Sequence, residues 1–200
     1  TNATNPKWRY ELQYQKDFRD SSEHKLAISA LGRFFGKSQE SNFTNVGTFG
    51  DEPDANQRTE TDFSEANYTL KVDYTKPFKN YFSTEAGGQY VSSDVSNEFM
   101  VSNFNGDSFV QDPNLTNQFS FDQKVLAVYG TGAFEKGRWG LKAGLRIEDT
   151  QLRTFLRETA KSNDQNYLNY FPSAHTSFKF SDVFSIQAGY SRRIYRPRLW

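Results

Sequence analysis

An all-β, antiparallel fold of about eight long strands, embedded in a membrane as a barrel segment, is predicted by three observations in the sequence. The first is alternation. Trp8, Tyr10, Leu12 and Tyr14 alternate with Arg9, Glu11, Gln13 and Gln15, so one face of the strand is apolar and the other polar. The second is length, because most alternating stretches reach the roughly 9–11 residues a tilted strand needs to cross a bilayer. The third is a lopsided set of links. Arg19–His24, Lys76–Asn80, Glu135–Arg138 and Ser181–Val183 are short, whereas Ser38–Asp62, Ser93–Ser120 and Arg157–Gln165 are long and rich in Asn, Ser, Asp and Glu. Short turns on one side and long loops on the other describe a bacterial outer-membrane barrel with its turns in the periplasm.

Taken in order, the alternation places strands over Lys7–Phe18, Lys25–Lys37, Ala66–Lys76, Tyr81–Ser92, Phe121–Phe134, Trp139–Leu152, Asn166–Phe180 and Phe184–Ile194. In the third, Tyr68, Leu70, Val72 and Tyr74 oppose Thr69, Lys71 and Asp73. In the sixth, Trp139, Leu141, Ala143, Leu145 and Ile147 oppose Gly140, Lys142, Gly144, Arg146 and Glu148. In the eighth, Phe184, Ile186, Ala188 and Tyr190 oppose Ser185, Gln187, Gly189 and Ser191. A charge on a lipid face costs about 2–4 kcal/mol at the midplane, and these apolar faces carry none. The second strand is less clean, since Leu26, Ile28, Ala30 and Phe34 share a face but Leu31 and Phe35 fall on the other. Aromatic residues gather near both ends of the strands, as they do at the two water–lipid boundaries.

Composition narrows the functional classes. The mean hydropathy of −0.81 and the lack of any apolar run near the roughly 20 residues of a transmembrane helix exclude a helical membrane protein. Lys plus Arg and Asp plus Glu number 24 each, so nothing draws the chain to a nucleic acid. With no cysteine there is no disulfide scaffold and no thiolate chemistry. Just 2 histidines, His24 and His175, are too few for most histidine-based metal centres. No signal peptide is visible at Thr1.

The polar faces supply the candidate site. Arg9, Glu11, Asp17, Lys71, Asp73, Glu85, Lys142, Arg146, Glu148, Lys179 and Arg193 are expected to face the lumen, where mixed charges pair across strands and line a polar passage. They form no recognised catalytic set. Asp51, Glu52 and Asp54, or Asp107 and Asp112, could offer oxygens to calcium, yet the ordered acidic spacing of an EF-hand is missing and a solvated acidic loop is the better reading. His175 stands beside Ser173 and Ser177 without a triad order. Gly130 and Gly132 lie inside a strand pattern, where they relieve crowding or curve the sheet rather than cradle a phosphate. No catalysis, no cofactor and no metal are expected.

Three segments carry a sharper likeness. Gly144-Leu145-Arg146-Ile147-Glu148-Asp149-Thr150, then Tyr170-Phe171-Pro172-Ser173-Ala174-His175, then Tyr190-Ser191-Arg192-Arg193-Ile194-Tyr195-Arg196-Pro197-Arg198-Leu199-Trp200 resemble, in order and spacing, the barrel of TonB-dependent outer-membrane receptors of the Bacteroidetes type. The resemblance implies a barrel of roughly 22 strands around a plug, coupled to the TonB energy complex and importing a scarce, bulky solute. This chain shows neither a plug nor a TonB-box stretch. Residues 1–200 are therefore expected to be one arc of such a barrel, its partners the lipid bilayer, the plug, the remaining strands and an unidentified solute.

Two alternatives compete with the arc: a complete eight-stranded outer-membrane barrel with an adhesive or structural role, and a soluble β-sandwich binding module. They differ at the edges. An arc leaves its first and last strands unpaired with each other, a small barrel joins them, and a sandwich covers its apolar face with a second sheet.

Overall fold

Ten antiparallel strands form one sheet in the computed structural model, which describes residues 1–19, 23–46, 55–78 and 81–194. They are β1 (Asn2–Thr4), β2 (Lys7–Asp17), β3 (Lys25–Asn45), β4 (Ala55–Phe78), β5 (Phe82–Phe104), β6 (Phe109–Gln111), β7 (Asn117–Lys136), β8 (Trp139–Leu156), β9 (Lys161–Lys179) and β10 (Ser185–Ser191). The long strands follow one another in the sheet in chain order, as hairpin connections dictate. Eight of the ten match the strands expected from alternation. The other two are three-residue additions: β1 pairs with β3 beyond β2, and β6 pairs with the end of β5. Pro6 separates β1 from β2, because it has no N–H for the ladder, although its carbonyl still accepts from Gly36 N at 2.9 Å.

The expected long loops are mostly strand. β3 continues to Asn45 and β4 begins at Ala55, so Ser38–Asp62 is largely paired. Ser93–Ser120 holds the end of β5, all of β6 and the start of β7, and Arg157–Gln165 shrinks to a turn before β9 starts at Lys161. The physical reason is a change of solvent along each strand. Beyond the apolar band both faces meet water, so alternation disappears while backbone pairing continues. Positions 47–54, with Asp51, Glu52 and Asp54, lie outside the described residues.

Register keeps the faces intact across the sheet. Leu26, Tyr74 and Ala86 lie in one row and Ile28, Val72, Gly88, Val128, Ile147 and Tyr170 in another. On each strand the apolar stretch covers about five same-face positions, such as Trp139 to Ile147 on β8, which is the length a tilted bilayer crossing requires. Tyr68, Leu70, Leu141, Leu145 and Ile186 are exposed on this face. Because the sheet is a single layer among the described residues, its buried hydrophobic side chains are just Val95, Val101, Val125 and Ala127. A soluble sandwich would cover that apolar face, and nothing here does.

The sheet is open. Among the described residues β2 pairs with β3 alone and β10 with β9 alone, so the segments around Leu12 and Ala188 do not meet. A narrow barrel closed at eight strands is thereby excluded for this structure. β10 ends at Ser191 rather than near Ile194: Pro172 accepts from Arg192 N at 3.1 Å but has no N–H to return, and the ladder stops.

Candidate functional site

The polar face carries a connected network built on two adjacent rows of the sheet. One row runs Asp73, Gly87, Tyr129, Arg146, Phe171, and the next runs Lys71, Gln89, Ala127, Glu148, Asn169. Because side chains two residues apart share a face, these rows stack into one patch spanning β4, β5, β7, β8 and β9. Small residues at Gly87 and Ala127 leave room for the large ones beside them.

Tyr129 is the centre of the patch. Its ring lies over Gly87, where an added Cβ would fall 2.5 Å from the Tyr129 hydroxyl and 2.6 Å from the Val72 carbonyl oxygen. Glycine is the residue that permits this approach. Crossing it, the Tyr129 hydroxyl donates to the Asp73 carboxylate, two strands away. Lys71 Nζ holds the other Asp73 oxygen at 2.8 Å. The ring also meets two cations, with Lys71 Nζ 5.9 Å and Arg146 Cζ 5.5 Å from its centroid, distances at which the ring quadrupole attracts them.

Arg146 extends the network. Its Nε donates to Glu148 Oε1 at 2.7 Å and its terminal nitrogen to Gln89 Oε1 at 2.9 Å. Glu148 is 6% exposed, and that guanidinium helps to offset the cost of burying its charge. Beside it in the row, Asn169 Nδ2 is buried without a hydrogen-bond partner among the described residues. The patch can hold polar solutes or a polar polypeptide surface through fixed donors and acceptors. Among the described residues no three acidic, histidine or cysteine side chains could hold a metal ion.

Of the eleven residues expected from sequence, Lys71, Asp73, Arg146 and Glu148 come together here, while Asp17 accepts from Gln15 Nε2 at 2.8 Å on β2. Arg9 and Glu11 pair at 3.1 Å on β2, at the far edge. Glu85 faces Thr131 and Lys142 faces His175 across the ladder on the same polar face. His175 lies over Gly189, where a Cβ would fall 2.6 Å from its Nδ1, so its role is packing against a glycine rather than joining a triad. Lys179 stands at the short-turn end of β9, opposite Ser185. Arg193 lies beyond β10 and outside the sheet, a correction that follows from Pro172. Asp112 caps its own turn by accepting from Asn114 N at 2.9 Å and binding Asn103. Tyr129, Gln89 and Asn169 were not expected. The signal for Tyr129 was a tyrosine out of phase with Leu126 and Val128, together with the glycine pair at Gly87 and Gly88.

The apolar band, the polar network and the open edges agree with the comparisons to known proteins. Solved structures that match number 28 chains. One is the crystal structure of the ferric citrate transporter FecA in the unliganded form, with a TM-score of 0.59 at 15% identity, covering 94% of this chain and 27% of that one. At that identity the likeness concerns the fold, and the chain spans about a quarter of FecA's length. No curated protein matches. The outer membrane protein beta-barrel family matches residues 16–200. A two-faced, single-layered antiparallel sheet matched by that family over nearly its whole length belongs to it, and its place is the outer membrane.

Proposed function

We propose that this chain is an arc of the barrel wall of a TonB-dependent receptor, which binds a scarce solute outside the cell and imports it without altering it chemically. The observation that carries the reading is the polar network on the face opposite the lipid band. A small closed barrel fills its interior with its own side chains, whereas here Lys71, Asp73, Tyr129, Arg146 and Glu148 present a broad charged wall. In this reading Arg9, Glu11, Glu85, Lys142 and Lys179 complete the lumen lining, and the plug packs against or passes along it. The strand ends beyond the band stand outside the cell and screen the solute.

Both unpaired edges support a wider barrel, because unpaired N–H and C=O groups are not tolerated in the membrane core. Further strands must satisfy β2 and β10. The test is uptake by whole cells expressing the full-length protein, with ferric chelates, cobalamin, oligosaccharides and peptides offered in turn. Energised accumulation of one class, lost when the protein or the energy-coupling complex is removed, is the expected result. Accumulation of none, with survival and adhesion defects that follow removal of the protein but not of the energy-coupling complex, would instead favour the structural role.

A further inference from the structure

We propose that the apolar face binds anionic phospholipid of the periplasmic leaflet, with acyl chains in a groove across β7–β10 and headgroups on lysines at the short-turn rim. The proposal rests on the outer-membrane placement alone and stands apart from the transport reading.

The lysines share a face and a rim, the short-turn ends of their strands, although they stand in three different register rows. Lys16 on β2, Lys76 on β4 and Lys136 on β7 each share the face of the apolar band, two residues past Tyr14, Tyr74 and Phe134 at the short-turn end. Each ammonium lies over a ring: Lys16 Nζ is 5.1 Å from the Phe18 centroid, Lys76 5.2 Å from Phe78, and Lys136 5.3 Å from Tyr81. Such a ring holds the stem against the band edge and leaves the charge at headgroup height. None of the three pairs with a carboxylate among the described residues.

The opposite rim of the same face is rich in carboxylates, and its cations Lys124, Arg58 and Arg153 are paired with them. Asp62, Asp94, Asp122 and Asp149 follow the band there on β4, β5, β7 and β8, with Lys124 Nζ 3.7 Å from Asp122. Short turns lie on the periplasmic side in this class of barrel, so the positive rim meets the phospholipid leaflet. Charge complementarity thus names an anionic headgroup and the leaflet that supplies it.

The groove gives a place for the chains. Gly132, Ala143, Ala174 and Ala188 are small residues on four consecutive strands, and Phe134, Leu141 and Tyr190 stand around them, outlining an open depression of about 730 Å³. On β7 the groove begins at Gly132 and Phe134, immediately before Lys136. A chain lying there leads its phosphate to that ammonium.

The test uses the full-length protein in nanodiscs of phosphatidylcholine with one-tenth phosphatidylglycerol, reading boundary-lipid selectivity by spin-labelled lipids. At low salt the wild type should prefer phosphatidylglycerol about three- to fivefold, and the preference should fall with added salt. The triple change Lys16→Gln, Lys76→Gln, Lys136→Gln should lower it to near unity, and Ala188→Phe should reduce retention of the slowest-exchanging lipid while leaving the salt dependence. Heat-modified mobility on gels confirms that each variant is folded. An equal selectivity in wild type and triple variant overturns the proposal, as does co-purification of lipopolysaccharide or a protein in place of phospholipid.

Discussion

Gly87 and Gly88 are neighbours on β5 that face opposite sides, and alanine should affect them in opposite ways. A Cβ on Gly87 meets the Tyr129 hydroxyl at 2.5 Å and the Val72 carbonyl oxygen at 2.6 Å. One obstacle is a side chain and the other is backbone of the paired strand, so the ring must leave and the ladder must also give. Overpacking of this kind costs about 1–3 kcal/mol. Displacing Tyr129 removes its bond to the Asp73 carboxylate, and bonds to charged groups contribute about 1.5–3 kcal/mol. These two costs overlap, and Gly87→Ala should destabilise by about 2–4 kcal/mol. A Cβ on Gly88 meets nothing closer than Ala127 O at 3.6 Å, an ordinary contact, and Gly88→Ala should be neutral or gain about 0.4–1 kcal/mol from the unfolded chain. The assay is urea unfolding of the full-length barrel in vesicles, followed by tryptophan emission and heat-modified mobility. Combining Gly87→Ala with Tyr129→Ala should recover part of the loss, the Val72 contact accounting for the rest. Equal effects of the two alanines would refute the placement of Tyr129 over Gly87.

Leu145→Arg sets a charge on the lipid face one repeat above the centre of the β8 band, and it should cost about 2–4 kcal/mol, while Lys142→Gln on the polar face should cost far less; comparable losses in vesicle unfolding would mean the faces are reversed. Arg146→Leu removes the guanidinium that pairs with the buried Glu148 carboxylate and should cost about 1.5–3 kcal/mol, part of it restored when Glu148→Leu is added, as a double-mutant cycle measures. Additive losses would show that the pair is not coupled. On β5, two repeats past Tyr90 and outside the bilayer, burial and then the facing Asp122 push the Asp94 carboxyl above the ordinary aspartate range. A folded-state value raised above the unfolded one means that protonation contributes stability, present below the unfolded value near 3.8 and lost as pH rises through the folded one. Asp94→Asn should therefore raise stability at neutral pH, and the gain should vanish in acid. A gain that persists unchanged at pH 3 would point to some cause other than the Asp94–Asp122 repulsion.

How much of this was legible in the chain follows from where its solvents differ. Along Tyr68–Tyr74 and Trp139–Ile147 one face meets lipid and the other water, so residues alternate and both strand and face can be read directly. Past Ala66, Ser92 and Glu148 both faces are wet. The segments Ser38–Asn45, Ala55–Ala66 and Ser93–Phe104 then lose their period and read as loops, although the ladder continues through all of them. The site divides in the same way. Lys71, Asp73, Arg146 and Glu148 were visible because a charge within an apolar alternation must take the polar face, and within one strand their spacing of two is apparent. Their meeting across β4, β7 and β8 depends on cross-strand register, which pairs Asp73 with Gly87, Gly87 with Tyr129 and Tyr129 with Arg146. Pattern within a single strand carries no information on that pairing, since sliding a strand by two residues preserves every face and changes every neighbour. Gly87 is where register leaves a trace. Only one pairing puts a side chain as large as Tyr129 over the position that lacks a Cβ, and a two-residue slip would bring Ala127 or Thr131 opposite it and leave the tyrosine against Glu85 or Gln89.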